Sequence, residues 1–264
     1  MINTIDIGLN LTSNRFKNKE KILEDAKLAG IVAVILTGSC PSGSEKSIEL
    51  VNKMDDKYGI KIYSTVGIHP HEATLCTPSA MIRLENMASN EKVVAIGETG
   101  LDFNRNFSPQ YRQIESFQRH IELAIKLNKP MFLHERDAHE KFMEVLEPYK
   151  DKIKCVVHCF TGDKNELKAY IDAGFYIGIT GWLCDEKRNE NLITAIKTNK
   201  DELLNKLMIE TDAPYLNPLD PKVLNEPKLL PHILTKLSEV LEIDKKELGK
   251  IILENTQKFF SICL

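Results

Sequence analysis

The chain reads as a (β/α)8 barrel. Three observations predict this. Short β-branched apolar runs alternate with segments of helical periodicity from one end to the other. Eight such units share 264 residues, about 33 apiece, the size of one strand–helix repeat with its loops. No Pro/Gly/Ser-rich linker or low-complexity stretch divides the chain, so residues 1–264 are expected to form one domain.

The predicted strands fall at 4–9 (TIDIGL), 32–37 (VAVILT), 62–66 (IYSTV), 93–97 (VVAIG), 131–134 (MFLH), 155–158 (CVVH), 176–179 (YIGI) and 207–211 (LMIET). Between them lie amphipathic segments. In 112–127, Ile114, Phe117, Ile121, Ala124 and Ile125 mark one apolar stripe. A final helix over 245–260 is an extra element or cap. Asp163 and Asp185 follow strand-like runs and are candidate helix N-caps.

Composition sets limits. Hydrophobic residues are 42% and charged residues 28% of the chain, enough apolar surface for a core and too little charge for a disordered one. No apolar run approaches a membrane span, and MINTIDIGLN lacks the charged-then-apolar layout of a secretory signal, so a cytoplasmic protein is expected. The net charge of −3 excludes wholesale electrostatic attraction to nucleic acid. Phosphate binding would rest on local cations or a metal. A closed barrel leaves no strand edge unpaired, which favours a monomer.

The strands are informative in how they end. Apolar runs stop at Glu98 (VVAIGE), His134 (MFLH), His158 (VVH) and Asp212 (IETD), and strand three leads to His69 and His71 (IHPH). In a barrel of this kind, C-terminal strand ends converge on one face. A Glu, two His and an Asp gathered there form an N/O donor set for a divalent cation. Glu210 shares the strand parity of Asp212 and faces the interior, where a buried carboxylate needs a partner. That makes it a candidate to support a ligand.

Other patterns read as structure. His134 and His139 are five apart rather than four, so HERDAH is not a zincin motif. His139 is expected to be exposed, and His120 to lie on a helix surface or boundary; His232 has no evident role. Cys155 and Cys159 would share one strand face with His158 on the other, pointing to reduced thiols rather than a joint zinc site. No GxSxG elbow is present. Lys61 and Lys154 begin their strands, which is the wrong end for a Schiff base.

DIGLNLTS (6–13), TVGIHPHEA (65–73), AIGETGLDFNRNFS (95–108), FLHERDAHEKF (132–142), VVHCFTG (156–162), YIGITGW (176–182), IETDAPYL (209–216) and NEP…LPHI (225–233) follow one another along nearly the whole chain. In this order they resemble the TatD family of metal-dependent deoxyribonucleases. The resemblance implies a TIM barrel of the amidohydrolase-like type and hydrolysis of DNA phosphodiesters, often as a 3′→5′ exonuclease preferring single-stranded ends. It places divalent-metal ligands on Glu98, His134, His158 and Asp212. The chain departs from many relatives in two motifs. Gly8 and Asn10 stand where a His-x-His pair is common, which leaves open whether one ion binds or two. Glu135 stands where Cys is common, and alternation turns it away from His134.

The implied mechanism is hydrolysis assisted by Mg²⁺, Mn²⁺ or Zn²⁺. Asp212 would be the general base, Glu98 the likeliest bridge between two ions, and His69, Asn10 and Arg136 the phosphate contacts; an ion pair with Glu135 or Asp137 is the competing assignment for Arg136. Two further readings compete: a metal-dependent amidohydrolase acting on a C–N bond, and a catalytically inactive nucleic-acid-binding barrel. The former commonly uses strand-one His-x-His and a strand-four lysine, which Gly8, Asn10 and Glu98 do not supply.

Overall fold

A computed structural model describes residues 2–264 of the chain. Eight strands pair in sequence order: β1 (Thr4–Leu9), β2 (Ile31–Leu36), β3 (Lys61–Val66), β4 (Val93–Asp102), β5 (Met131–Arg136), β6 (Cys155–Val157), β7 (Tyr176–Ile179) and β8 (Leu207–Ile209). Every ladder from β1–β2 to β7–β8 is parallel. The helices, in chain order, are α1 (Lys19–Leu28), α2 (Pro41–Met54), α3 (Pro78–Ala88), α4 (Gln110–Leu127), α5 (His139–Leu146), α6 (Lys164–Asp172), α7 (Glu190–Thr198), α8 (Lys200–Leu204), α9 (Leu230–Leu241) and α10 (Lys245–Phe260). No described helix is long and apolar enough to cross a membrane.

The seam between β8 and β1 differs from the other joints. One parallel bridge, Leu9 with Ala213, stands where a ladder would be, and Asn10 N donates to Ala213 O at 2.9 Å. Below it, the fully buried Asp6 carboxylate takes over as acceptor. Asp6 Oδ1 accepts from Thr211 N (2.9 Å) and Gly8 N (3.3 Å), and Oδ2 accepts from the Thr211 hydroxyl. Burial pushes the Asp6 carboxyl up to about 7, against those hydrogen bonds.

Strand alternation sorts the side chains into two cores. Ile5, Ile7, Ala33, Ile35, Phe132, Val156 and Met208 form the smaller apolar cluster. The other parity, including Leu133, Val157 and Ile209, packs with the helices in the larger one. The same parity that places Phe132, Val156 and Met208 inside carries His134, His158 and Glu210 inward one step further up.

Strand ends move relative to the sequence reading. β4 continues five residues beyond Gly97, and Asp102 pairs with Arg136 on a lengthened β5. Gly97, at φ +143°, makes this possible. A Cβ there would stand 2.1 Å from Phe132 O, and the register shifts between Gly97 and Thr99. β6 and β8 end earlier than predicted, at Val157 and Ile209, although His158 N still donates to Leu133 O and Glu210 N to Ile179 O.

Three assignments made from pattern need correction. His120 is fully buried rather than at a surface: Ile68 N donates to its Nε2 at 3.1 Å, and its Nδ1 donates to Ser116 O at 2.7 Å. It occupies the buried face of α4 beside Phe117, Ile121 and Ala124, because an imidazole can satisfy two backbone groups where an alkyl chain cannot. His139 is half-buried, its ring edge-on to Tyr170 with centroids 5.0 Å apart. Asp163 does cap α6, in a reciprocal box with Glu166. Asp185 is no helix N-cap: it accepts from Lys187 N and pairs with Arg188, and the N-cap position of α7 falls to Asn189.

Candidate metal centre

The C-terminal strand ends surround a cavity of about 510 Å³ whose lining includes Asn10, His69, His71, Glu98, Asp102, His134, Arg136, His158 and Asp212. Glu98 is its hub. The carboxylate is 7% exposed, and its Oε1 lies 2.8 Å from His158 Nε2 and 3.2 Å from both His69 Nε2 and His134 Nδ1. Burial alone would raise Glu98, but the imidazoles of His69, His158 and His134 hold it well below the usual carboxylate range.

The rings respond in two directions. Burial lowers His69 despite Glu98. For His134 and His158 burial is outweighed: Asp102 and Glu98 raise the former, Glu98 and Glu210 the latter. Ligand atoms of His69, Glu98 and His134 all lie within 4.8 Å of one another, a spacing that can hold a metal ion. His69, expected to contact phosphate, thus sits inside the donor cluster. His158 joins it through Glu98.

Two observations fit a divalent cation here. His134 Nε2 is buried without a hydrogen-bond partner, with Asp102 Oδ2 3.4 Å away. The donors are imidazole nitrogens and carboxylate oxygens, the mixture that borderline and hard divalent ions share.

Glu210 is fully buried, as its parity required. Its Oε1 accepts from Cys159 N at 2.6 Å, and its Oε2 lies 3.3 Å from His158 Nδ1. A carboxylate behind a ligating imidazole fixes the tautomer and aims the other nitrogen. Its space comes from two glycines: a Cβ at Gly8 would stand 2.2 Å from Glu210 Oε2, and one at Gly178 2.5 Å from Oε1. Gly8 and Gly178 together therefore admit Glu210.

Asp212 lies three residues past β8, at φ +50°, a left-handed turn that brings it to the cavity wall. Its Oδ1 accepts from Asn10 Nδ2 at 2.9 Å, so Asn10, expected to meet phosphate, is engaged by a carboxylate. Burial pushes Asp212 up to about 7; His158 and Asn10 oppose this, while Glu98 and Glu210 add to it. Arg136 lines the cavity and has no ion pair among the described residues. Its supposed partners are engaged elsewhere: Glu135 with Ala138 N and the Tyr170 hydroxyl, Asp137 with Asn104. Glu135 does turn away from His134.

Pattern reading missed other members. Asp102 is buried and its Oδ2 lies 2.7 Å from His71 Nε2; burial raises its carboxyl, and His134, the Arg105 amide and His71 more than offset that. It escaped because β4 was read as ending at Gly97. Cys159 was expected on the face of Cys155, opposite His158. The strand ends first, Cys159 adopts φ +48°, and the residue joins His158 in the cavity lining.

Residues 5–261 match the family model described as TatD related DNase. The chain is 39% identical over 264 residues to the 3′-5′ ssDNA/RNA exonuclease TatD of Salmonella typhimurium, covering 97% of this chain and 98% of that protein. It is 41% identical over 262 residues to the exonuclease of the same description from Dickeya dadantii, covering 97% of each. Among solved structures, a TatD family hydrolase from Entamoeba histolytica superposes with a TM-score of 0.86 at 26% identity over 98% of both chains. A phosphotriesterase homology protein from Escherichia coli, at 14% identity over 98% of this chain and 99% of that one, shares the fold with a TM-score of 0.70. Sequence match, barrel and donor cluster agree, and the chain belongs to the TatD-related DNase family.

Proposed function

We propose that residues 1–264 act as one catalytic unit, a divalent-metal-dependent exonuclease that removes nucleotides from the 3′ ends of single-stranded DNA or RNA. The observation that carries this reading is the convergence of His69, His134 and His158 on the Glu98 carboxylate within a strand-end cavity. The 3′-5′ ssDNA/RNA exonuclease activity of the relatives supports it.

Glu98, His134, His158 and Asp212 would hold one ion or two, Mg²⁺ or Mn²⁺, with Zn²⁺ also within the donor chemistry. When bound, such an ion lowers the pKa of a coordinated water and polarises a phosphoryl oxygen. Asp212, at the cavity wall, would take the proton of the attacking water, as a carboxylate beside both ion and nucleophile can. Asn10 holds its other side. Glu210 aims His158, and Arg136, free of ion pairs, supplies a cation for phosphate. No side-chain nucleophile is needed. Cys159, the cavity thiol, is driven well above its ordinary pKa by burial and by Asp212 and Glu210, and is a poor thiolate.

The test is a 5′-labelled single strand incubated with Mg²⁺ or Mn²⁺. Laddering from the 3′ end is expected, abolished by EDTA and reduced at least about a thousandfold in Glu98→Ala and Asp212→Ala. Binding without cleavage would favour the inactive barrel, and no interaction would reopen the amidohydrolase case.

A further inference from the structure

Two aromatic side chains stand exposed at the cavity mouth yet are held in place. Phe107 is 67% exposed and Tyr215 52% exposed, and both line the cavity. The Phe107 ring packs edge-on against His71, centroids 4.8 Å apart. Its loop is pinned to the metal centre: Asn104 N and Arg105 N donate to Asp102 Oδ1 at 3.1 and 2.9 Å, and Ser108 Oγ donates to His71 O at 2.7 Å. Tyr215 is tied by its own amide, which donates to Asp212 O at 3.0 Å. Each ring also carries a guanidinium: Arg105 lies 5.9 Å from the Phe107 centroid and Arg15 5.4 Å from that of Tyr215. Both arginines are exposed, and among the described residues neither pairs with a carboxylate.

Topology separates the two pairs. Phe107 follows β4 and Tyr215 follows β8, four strands apart in an eight-strand order, so their loops face one another across the mouth. The cavity they line together holds the Glu98 cluster. A scissile phosphodiester has one nucleoside on either side of it, and the site has one aromatic–arginine pair on either side.

Resting on the nuclease reading above, we propose that Phe107 and Tyr215 are stacking platforms for the two bases flanking the scissile phosphate, with Arg105 and Arg15 contacting the adjoining backbone. An aromatic platform accepts any base, because every base has a π-face, but only an unpaired one. The pairs therefore select single strands without reading sequence. They also give no means of telling ribose from deoxyribose.

The platforms are tested by binding, without cleavage. A phosphorothioate single strand and its counterpart lacking the two 3′-terminal bases are titrated by anisotropy in Mg²⁺. The wild-type protein is expected to prefer the intact strand by at least about tenfold, the preference disappearing in the Phe107→Ala/Tyr215→Ala double variant and being kept with Trp at both positions. A 2-aminopurine at the 3′ terminus should be quenched on the wild-type protein and brighter on the alanine variant. A preference unchanged by both alanines, or no quenching on the wild-type protein, overturns the proposal. Tight, base-dependent binding by a protein that cuts no unmodified strand would instead sink the nuclease reading and leave the platforms standing.

Discussion

His158 Nε2 is hydrogen-bonded to Glu98 Oε1, with His69 and His134 nitrogens 3.2 Å away, and Asp212 accepts from Asn10, so polar hydrogens stand where a cation would bind. Metal binding must displace them, and the sign follows. Asp212, raised to about 7, is protonated below that pH, and His158 is raised as well. Affinity should therefore fall as pH falls. By calorimetry, the Mn²⁺ Kd is expected to be about tenfold weaker at pH 6 than at pH 8, and a pH-independent Kd would count against these ligands. Gly8 makes a second point at this scale. Gly8→Ala places a Cβ against Glu210 Oε2, so Glu210 must move and release Cys159 N or His158. We expect a loss of about 1–3 kcal/mol in stability and about 10- to 100-fold in metal affinity. Urea unfolding and the same titration check both, and an unaltered protein would show that Glu210 has room to spare.

At the scale of elements, α4 braces the end of β3 through one imidazole. The hydrogen bond from Ile68 N to His120 Nε2 requires the neutral ring, and burial lowers His120 to about 4. The unfolded chain has an ordinary histidine near 6.5, so between about 6.5 and 4 it binds a proton that the native protein does not. Stability from this group is complete above about 6.5 and is lost as pH falls towards 4, by up to about 3 kcal/mol. In His120→Leu, Ile68 N and Ser116 O lose their partner, and the variant should be about 1–3 kcal/mol less stable at pH 7. Its urea midpoint should also decline less than that of the wild-type protein from pH 6.5 to 4. Equal declines would show that the ring does not titrate as argued. Because Ile68 precedes His69, the brace also fixes a member of the donor cluster.

For the whole molecule, closure depends on a side chain. Seven joints are parallel ladders, whereas the eighth combines one backbone bridge with the Asp6 carboxylate. Asp6→Ala leaves Thr211 N and Gly8 N buried without that acceptor, at a cost of about 1–3 kcal/mol for each group left unsatisfied. Hydrogen exchange should show the added opening at the β1–β8 seam first, with β4 and β5 still protected. Uniform loss across the sheet would mean that the seam is no weaker than the ladders. Asp212 and Asn10 meet just above this seam, so barrel closure and site assembly share the same few residues.

Strand–helix alternation was legible in the sequence because parity and helical period are local, and it specified the eight-unit barrel and the inward side chains His134, His158 and Glu210. Glu98 was legible for a related reason, as a carboxylate ending an apolar run. What followed a strand end was not legible: Asp102 on the prolonged β4, Cys159 in its left-handed turn, and Asn10 bonded to Asp212 depend on where pairing stops. His120 was misread because an imidazole on an apolar helix face shows its burial only when Ile68 arrives from another strand. Local periodicity decides which way a side chain points, whereas the identity of its partners is decided by segments as far apart as Asp6 and Thr211, which only closure of the barrel brings together.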